Sequence, residues 1–314
     1  MSLYTYAHIL RTVLSSFFLN ETYFSTGTLP LEVVLIKIGF IGAGKVGFSL
    51  GKFLTNHNIT VSGYFSHSVK SAKEAAVFTN TACYTEVEAL ITSSDLIFIT
   101  VPDDEIYNVY LNIKNISLMG KFLCHCSGTL SSQIFSDIDD FGAFSYSIHP
   151  IFPISDKYES YKYLKDAIFT IEGNSQFLPS IISLFESTGV KIIPMQQSNK
   201  VLYHLAAVNV SNLFLALLKR SCSYLKSYGF NEAEAVKALY PLICANINNA
   251  LDQGITNALT GPAERGDINT IASHISAMPS KHVHVYKTLT EELVMLAKEK
   301  NMNKDYSSLE NYLK

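Results

Sequence analysis

No run of lysine or arginine stands out in this 314-residue chain, and its 24 basic against 27 acidic residues leave a formal net charge of −3. Nucleic acid is therefore not an expected partner, because a phosphate backbone is held by clustered cations. No apolar run is read as long enough to span a membrane, so no membrane partner is expected either. The five cysteines are odd in number and scattered. That argues against a disulfide framework and for a reducing, cytoplasmic setting. No metal site is expected. Cys124, His125 and Cys126 are neighbours on a predicted strand and point to alternate faces. His282 and His284 fall on a predicted helix at a spacing that does not bring them together. Repeats and low-complexity linkers are missing too. Arginine is scarce, with only Arg11, Arg220 and Arg265.

What is present begins with "KIGFIGAGKVGFSL", Lys37 to Leu50. Ile36, Ile38, Phe40 and Ile41 read as a buried parallel strand. Gly42 and Gly44 follow at once. Val46, Leu50, Phe53 and Leu54 then recur at helical spacing from Lys45 to Asn56. A bare G-x-G-x-x-G carries little weight, but strand, glycine turn and helix in that order are the context a dinucleotide needs. Gly42 permits the tight turn, Gly44 lets a pyrophosphate approach the backbone, and Gly47 lets helix and strand pack closely. The first helical residues, Lys45 and Val46, stand where free N–H groups meet phosphates.

Strand and helix signals alternate from there to "KIIPM" at Lys191–Met195, which predicts a doubly wound, Rossmann-type parallel sheet. Beyond Met195 only helical patterns remain. One very apolar run covers 198–228, and a second helix runs from an Asn231 cap to a Gly254 stop with Pro241 inside it. The expected organisation is an N-terminal extension (1–35), a dinucleotide-binding domain (36–195) and an all-helical domain (196–314). The extension carries an apolar stretch, His8–Leu19, broken by Ser15 and Ser16. It reads as an accessory helix or a start assigned too early rather than a secretory signal. The first long helix is apolar nearly all round, which predicts burial on every side and hence a homodimer built on the C-terminal helices.

The end of the second strand selects the cofactor. An NAD site places Asp or Glu there, whereas this chain has "GYFSHS" followed by Lys70 and Lys73. Ser66, His67 and Ser68 suit a phosphate, so NADP is expected in preference to NAD. Val101 and Pro102, after the fourth strand, should line the nicotinamide half, with Ser127 on the same rim. His125 ends the fifth strand and His149 the sixth. On the long helix Lys200 and His204 share a face at i, i+4, with Asn209 and Asn212 further along. His204 is the first candidate general acid/base, with Lys200 and His149 in reserve. His125, Asn209 and Arg265 are candidates for a small polar substrate. Arg265 is chosen because Gly261, Pro262 and Gly266 stiffen its loop and its fork suits an anion. An ion pair with Asp267 or Glu264 is the structural alternative.

The segments "GFIGAGKVG", "HCSGTLS", "SIHPIFP", "YHLAAVNVSN" and "NALTGPAERGDINTIASHISAM" together resemble a family that joins a Rossmann-like domain to a helical domain of unknown function 2520. The resemblance runs from about Lys37 to about Met278. It implies kinship with 6-phosphogluconate dehydrogenase-like enzymes, whose helical domains usually dimerise. The N-terminal domain is similar to those of pyrroline-5-carboxylate reductase and of an NADP-dependent oxidoreductase for the deazaflavin coenzyme. Related β-hydroxyacid dehydrogenases use a lysine near the position of Lys200, although their surrounding glycine and paired-asparagine pattern is absent here. The expected function is hydride transfer between NADP(H) and a small polar substrate in the cleft between the domains. A non-catalytic cofactor sensor and a reductase of a flavin-like carrier are the alternatives.

Overall fold

Alternation decides what each strand of this protein buries. The computed structural model describes residues 36–196 and 200–314. The expected N-terminal extension and the expected start of the long helix at Ser198 lie outside the described residues. Strands β1 (Ile38–Ile41), β2 (Val61–Phe65), β3 (Ala82–Cys83), β4 (Leu96–Ile99), β5 (Phe122–His125), β6 (Phe144–Ile151), β7 (Ile168–Gly173) and β8 (Lys191–Pro194) form one sheet in the order β3-β2-β1-β4-β5-β6-β7-β8. Helices α1 (Lys45–Asn56), α2 (Val69–Thr79), α3 (Val87–Thr92), α4 (Asp103–Ile113) and α5 (Leu178–Glu186) connect them.

One face buries Ile38, Phe40, Leu96, Phe98, Cys124, Ile148, Phe169 and Ile171 with Phe48, Phe53 and Leu54 of α1, Ala72, Ala75 and Ala76 of α2, and Leu184 and Phe185 of α5. The other buries Ile41, Ile97, Ile99 and Leu123 with Leu90 and Ile91 of α3 and Ile106, Tyr110 and Ile113 of α4. On that second face β5, β6 and β7 change character. They place His125 opposite Ser147, Ser147 opposite Glu172, and His149 opposite Thr170. A polar stripe thus continues what is an apolar face on β1 and β4.

The sheet is parallel from β3 through β6; β7 and β8 then extend it, β7 running antiparallel to β6 and β8 parallel to β7. A parallel return needs a crossover, usually a helix. The connection after β6 contains Pro153 and only a 3₁₀ segment, Ser160–Asp166.

Helix α6 (Val201–Val208) follows, then a π-helical turn at Asn209–Leu213 and α7 (Phe214–Lys226). The whole stretch Val201–Lys226 is, by length and composition alone, apolar enough to cross a membrane. This corrects the expectation that no such run exists. His204, Asn209, Ser211 and Asn212 interrupt the apolar sequence without charging it.

The chain divides into two compact units, a sheet unit ending at Leu213 and a helical unit from Phe214 to Lys314. Besides α7, the helical unit holds α8 (Glu232–Gln253), the short α9 (Ile255–Ala258) and α10 (Pro262–Arg265), α11 (Ile268–Ala277), α12 (Ser280–Lys300) and α13 (Ser307–Leu313). Asn231 starts α8 with a reciprocal capping box. Its side chain accepts from Glu234 N at 3.0 Å, and Glu234 accepts from Asn231 N at 2.9 Å. Pro241 lies inside the helix and Gly254 follows its end. Ile271, Val294, Ala297, Tyr306, Leu309 and Leu313 form the core of this unit.

Candidate active site

The glycine turn is shaped by close approach. Gly42 has φ +106°, and a Cβ there would meet the Thr100 carbonyl carbon and oxygen at 2.8 Å. Thr100 Oγ1 donates to Gly42 O at 2.8 Å, and a Cβ on Gly47 would fall 2.4 Å from that hydroxyl oxygen. So β4 and α1 touch across both positions, and no larger residue fits without displacing them. Gly44, exposed, caps α1 without a side-chain hydrogen bond, and no acid lies in the first turn. The first N–H groups of α1, at Lys45 and Val46, are thus left to an anionic ligand.

Next to it, at the end of β2, Ser66 is half-buried and His67 exposed. Ser68 caps α2, accepting from Ser71 N at 3.3 Å. No carboxylate lies in residues 61–73. These features fit a phosphorylated dinucleotide: a cradle that a Cβ would fill, an open helix N-terminus, and hydroxyls with Lys70 and Lys73 exposed where an NAD site carries an acid. Val101 is half-buried, and Pro102 is the exposed cap of α4.

Ser127 spends every polar atom inside the protein. Its N–H donates to His125 Nδ1 at 3.2 Å, and its hydroxyl donates to Asp103 Oδ2 at 2.6 Å. That hydroxyl accepts from Thr129 N at 3.1 Å and Leu130 N at 3.0 Å, and its carbonyl accepts from Lys200 Nζ at 2.9 Å. His125, fully buried, accepts at Nδ1, so it carries its proton on Nε2 and donates that to Ser131 O at 3.1 Å. Burial pushes it down to about 4. Both residues hold the turn after β5 in place.

Helix α6 lies over the polar stripe: Lys200, at its cap, meets Ser147, and Tyr203, three residues on, meets His149. Lys200 is buried, donates to Ser147 Oγ at 2.6 Å as well as to Ser127 O, and lies 5.8 Å from the Tyr203 ring centre. No carboxylate lies within ion-pair distance of its ammonium among the described residues, and burial lowers its proton affinity.

Tyr203 bridges two strands. Its hydroxyl is 2.7 Å from His149 Nδ1 and 2.9 Å from Thr170 Oγ1. His149 is pushed down to about 4 by burial first, then by Lys200 and His204, so it is neutral near pH 7. The rings of His149 and His204 lie 6.2 Å apart, edge to face. Gly128 is wedged between them: a Cβ on it would lie 2.4 Å from His204 Nδ1 and 3.1 Å from His149 Nε2. His204 Nδ1 is the one buried side-chain N or O among the described residues without a hydrogen-bond partner. Only a glycine leaves room for that nitrogen at this position.

The structure thus brings together Lys200, His204, His149, His125 and Ser127 around one glycine. Asn209 is exposed and opens the π-helical turn just past His204, and such turns recur at functional sites. Arg265 belongs to the helical unit. It is 58% exposed, with Nη2 3.9 Å from Asp267 Oδ2. Its loop is tied within that unit by Tyr306 (hydroxyl to Glu264 O, 2.6 Å) and Lys300 (Nζ to Leu259 O, 2.7 Å).

Sequence reading missed Tyr203, Thr170, Ser147 and Gly128. The available signal was a polar residue at every second position of β6 and β7, where a buried hydroxyl needs a partner.

Residues 26–150 match the Rossmann-like domain, and residues 167–293 match a family described as Domain of unknown function (DUF2520). The chain therefore carries a Rossmann-like domain followed by a DUF2520 domain. No curated protein matches the chain. Among solved structures, a Bacteroides fragilis protein described as a "putative NADP oxidoreductase" is 19% identical with a TM-score of 0.64, covering 84% of this chain and 99% of its own. A Thermotoga maritima protein is 26% identical with a TM-score of 0.62 and the same coverages. Plasmodium falciparum pyrroline carboxylate reductase, with NADP bound, is 18% identical with a TM-score of 0.56, covering 86% and 100%.

Proposed function

We propose that this protein is an NADP(H)-dependent oxidoreductase that reduces or oxidises a small polar substrate beside His149 and His204. The observation that carries the reading is the pairing of an open glycine cradle with two histidines, His149 of β6 and His204 of α6, around Gly128. Gly42, Gly44, Gly47 and the N–H groups of Lys45 and Val46 hold the pyrophosphate. Ser66, His67 and the nearby lysines take the 2′-phosphate, which favours NADP over NAD. The bound cofactor supplies or takes the hydride. The chain supplies the proton and the position. His149 and His204 each offer an Nε2 to the reacting group, and Lys200 holds the 127–128 turn rather than exchanging protons. The NADP-binding neighbour and the reductive aminase from Aspergillus terreus crystallised with NADPH support the cofactor assignment. Asn209 and Arg265 remain candidates for substrate contact.

We further propose a homodimer through the helical unit. Leu215, Tyr240, Ile247 and Leu251 are exposed by more than half, and a second copy covers them. A bilayer is the poorer occupant for Val201–Lys226, because its first turns are bound into the sheet unit through Tyr203, with Lys200 at the cap.

The test is single-turnover oxidation of enzyme-bound NADPH by keto acids, cyclic imines and flavins. The reading expects one class to oxidise it and His149→Gln to slow that step about 100-fold. Tight NADPH binding with no oxidation by any class would favour a cofactor sensor instead.

A further inference from the structure

We propose that Tyr203, with Thr170 behind it, is a positioning residue that fixes His149 as an Nε2–H donor. The inference rests on the functional reading only for its purpose, because the tautomer itself is measurable without a substrate.

A neutral imidazole has one N–H and one bare nitrogen, so the tautomer decides whether Nε2 gives or accepts a proton. His149 and Thr170 are direct cross-strand partners on β6 and β7, and their side chains share one face. Tyr203 reaches between them from α6. Its hydroxyl makes two short contacts, 2.7 Å to His149 Nδ1 and 2.9 Å to Thr170 Oγ1.

Two directions satisfy this chain. Either Thr170 donates to Tyr203 and Tyr203 donates to His149 Nδ1, or His149 donates to Tyr203 and Tyr203 to Thr170. In the second case the Thr170 hydroxyl proton is left with His149 O at 3.4 Å. In the first it has Tyr203 Oη at 2.9 Å. The 2.9 Å contact is made either way, so the 2.7 Å one decides: a phenol hydroxyl is a stronger donor than acceptor and a bare imidazole nitrogen a strong acceptor, so the chain runs from Thr170 towards His149. Nδ1 is then an acceptor and Nε2 carries the proton.

That Nε2 faces the space beside Gly128, 3.1 Å from where a Cβ would sit. His204 lies across the same glycine, its Nδ1 2.4 Å from that Cβ position. The groups that bear on His149 are Lys200 and His204 from the helix side, and Asp103 and His125 from the strand ends. None of these forms a hydrogen bond with its ring.

The experiment is a long-range proton–nitrogen correlation spectrum of the full chain with ¹⁵N-labelled histidine, at neutral pH. His149 is assigned by loss of its signals in His149→Gln. The expected result is a proton on Nε2 and a hydrogen-bonded, unprotonated Nδ1. Tyr203→Phe should move the Nδ1 resonance towards that of a nitrogen without a donor. Thr170→Val should move it the same way by less. Unchanged His125 signals, with Nδ1 still accepting from Ser127, show that the sheet unit stays folded. A proton on Nδ1 in the parent protein, or an Nδ1 resonance unmoved by both substitutions, would overturn the proposal. NADPH titration of the same samples separates the two ideas. The expected tautomer without cofactor binding sinks the functional reading alone, and cofactor binding with the opposite tautomer sinks this one alone.

Discussion

The sheet unit and the helical unit bury their apolar residues to very different extents. In the first, α1, α2 and α5 close one face, α3 and α4 close the other, and Phe40, Phe98, Ile99 and Phe169 are inaccessible to solvent. In the second, one small core around Ile271, Val294 and Tyr306 coexists with Tyr240, Ile247, Leu251 and Ile255 left exposed. Single exposed leucines are ordinary, but a helix such as α8 with apolar residues bare along its length is not. The difference teaches that the sheet unit is organised around its own core and a ligand cradle, whereas the helical unit is organised around a surface.

The comparison is broken most strongly by damage to the cradle. Gly42→Ala places a Cβ 2.8 Å from the Thr100 carbonyl at a positive φ, and should cost about 3 kcal/mol or more by strain and clash together. Gly189→Ala has φ +82° but nothing within 4 Å, and should cost about 1 kcal/mol. Urea denaturation of the two variants measures the gap, and equal losses would show that the cradle is not tightly packed.

Acid should also separate the units. His125 has an ordinary value of 6.5 and about 4 when folded, so the unfolded chain binds the proton first. Stability is complete above pH 6.5 and falls as pH drops towards 4. The loss from His125 is about 3 kcal/mol, and His149 adds to it in the same direction. Denaturation midpoints measured from pH 7 to pH 4 should show this slope, and His125→Gln should flatten it.

A smaller effect sharpens the view of the helical surface. Ile247→Glu should weaken self-association by about 2 kcal/mol, read by light scattering as a shift from dimer to monomer at low micromolar concentration. A stable monomer of the parent protein would refute the dimer. The smallest effect is Arg265→Ala. An exposed pair at 3.9 Å should contribute less than about 0.5 kcal/mol. A sharp rise in KM for an acidic substrate with unchanged stability would return Arg265 to the site.

The glycine turn, the strands through β6 and the capped start of α8 were legible because each is local: Gly42, Gly44 and Gly47, the apolar strands, and Asn231. The antiparallel β7 was less legible, since it depends on a connection that forms no helix. The site was half legible. His149 and His204 attract notice as histidines, but Tyr203, Thr170 and Gly128 acquire meaning only when α6 is laid across β6 and β7. Lys200 reads as a reserve acid/base on the long helix, yet it is buried with its ammonium on Ser147 and the Ser127 carbonyl.

The central claim is that the cradle after β1 and the acid-free end of β2 hold NADP(H). The direct measurement is a fluorescence titration of the full chain with NADPH and, in parallel, with NADH. The account predicts NADPH binding at least tenfold tighter, about 1.4 kcal/mol, with Ser66→Asp reversing the order. Equal or tighter binding of NADH, or no binding of either, would contradict it.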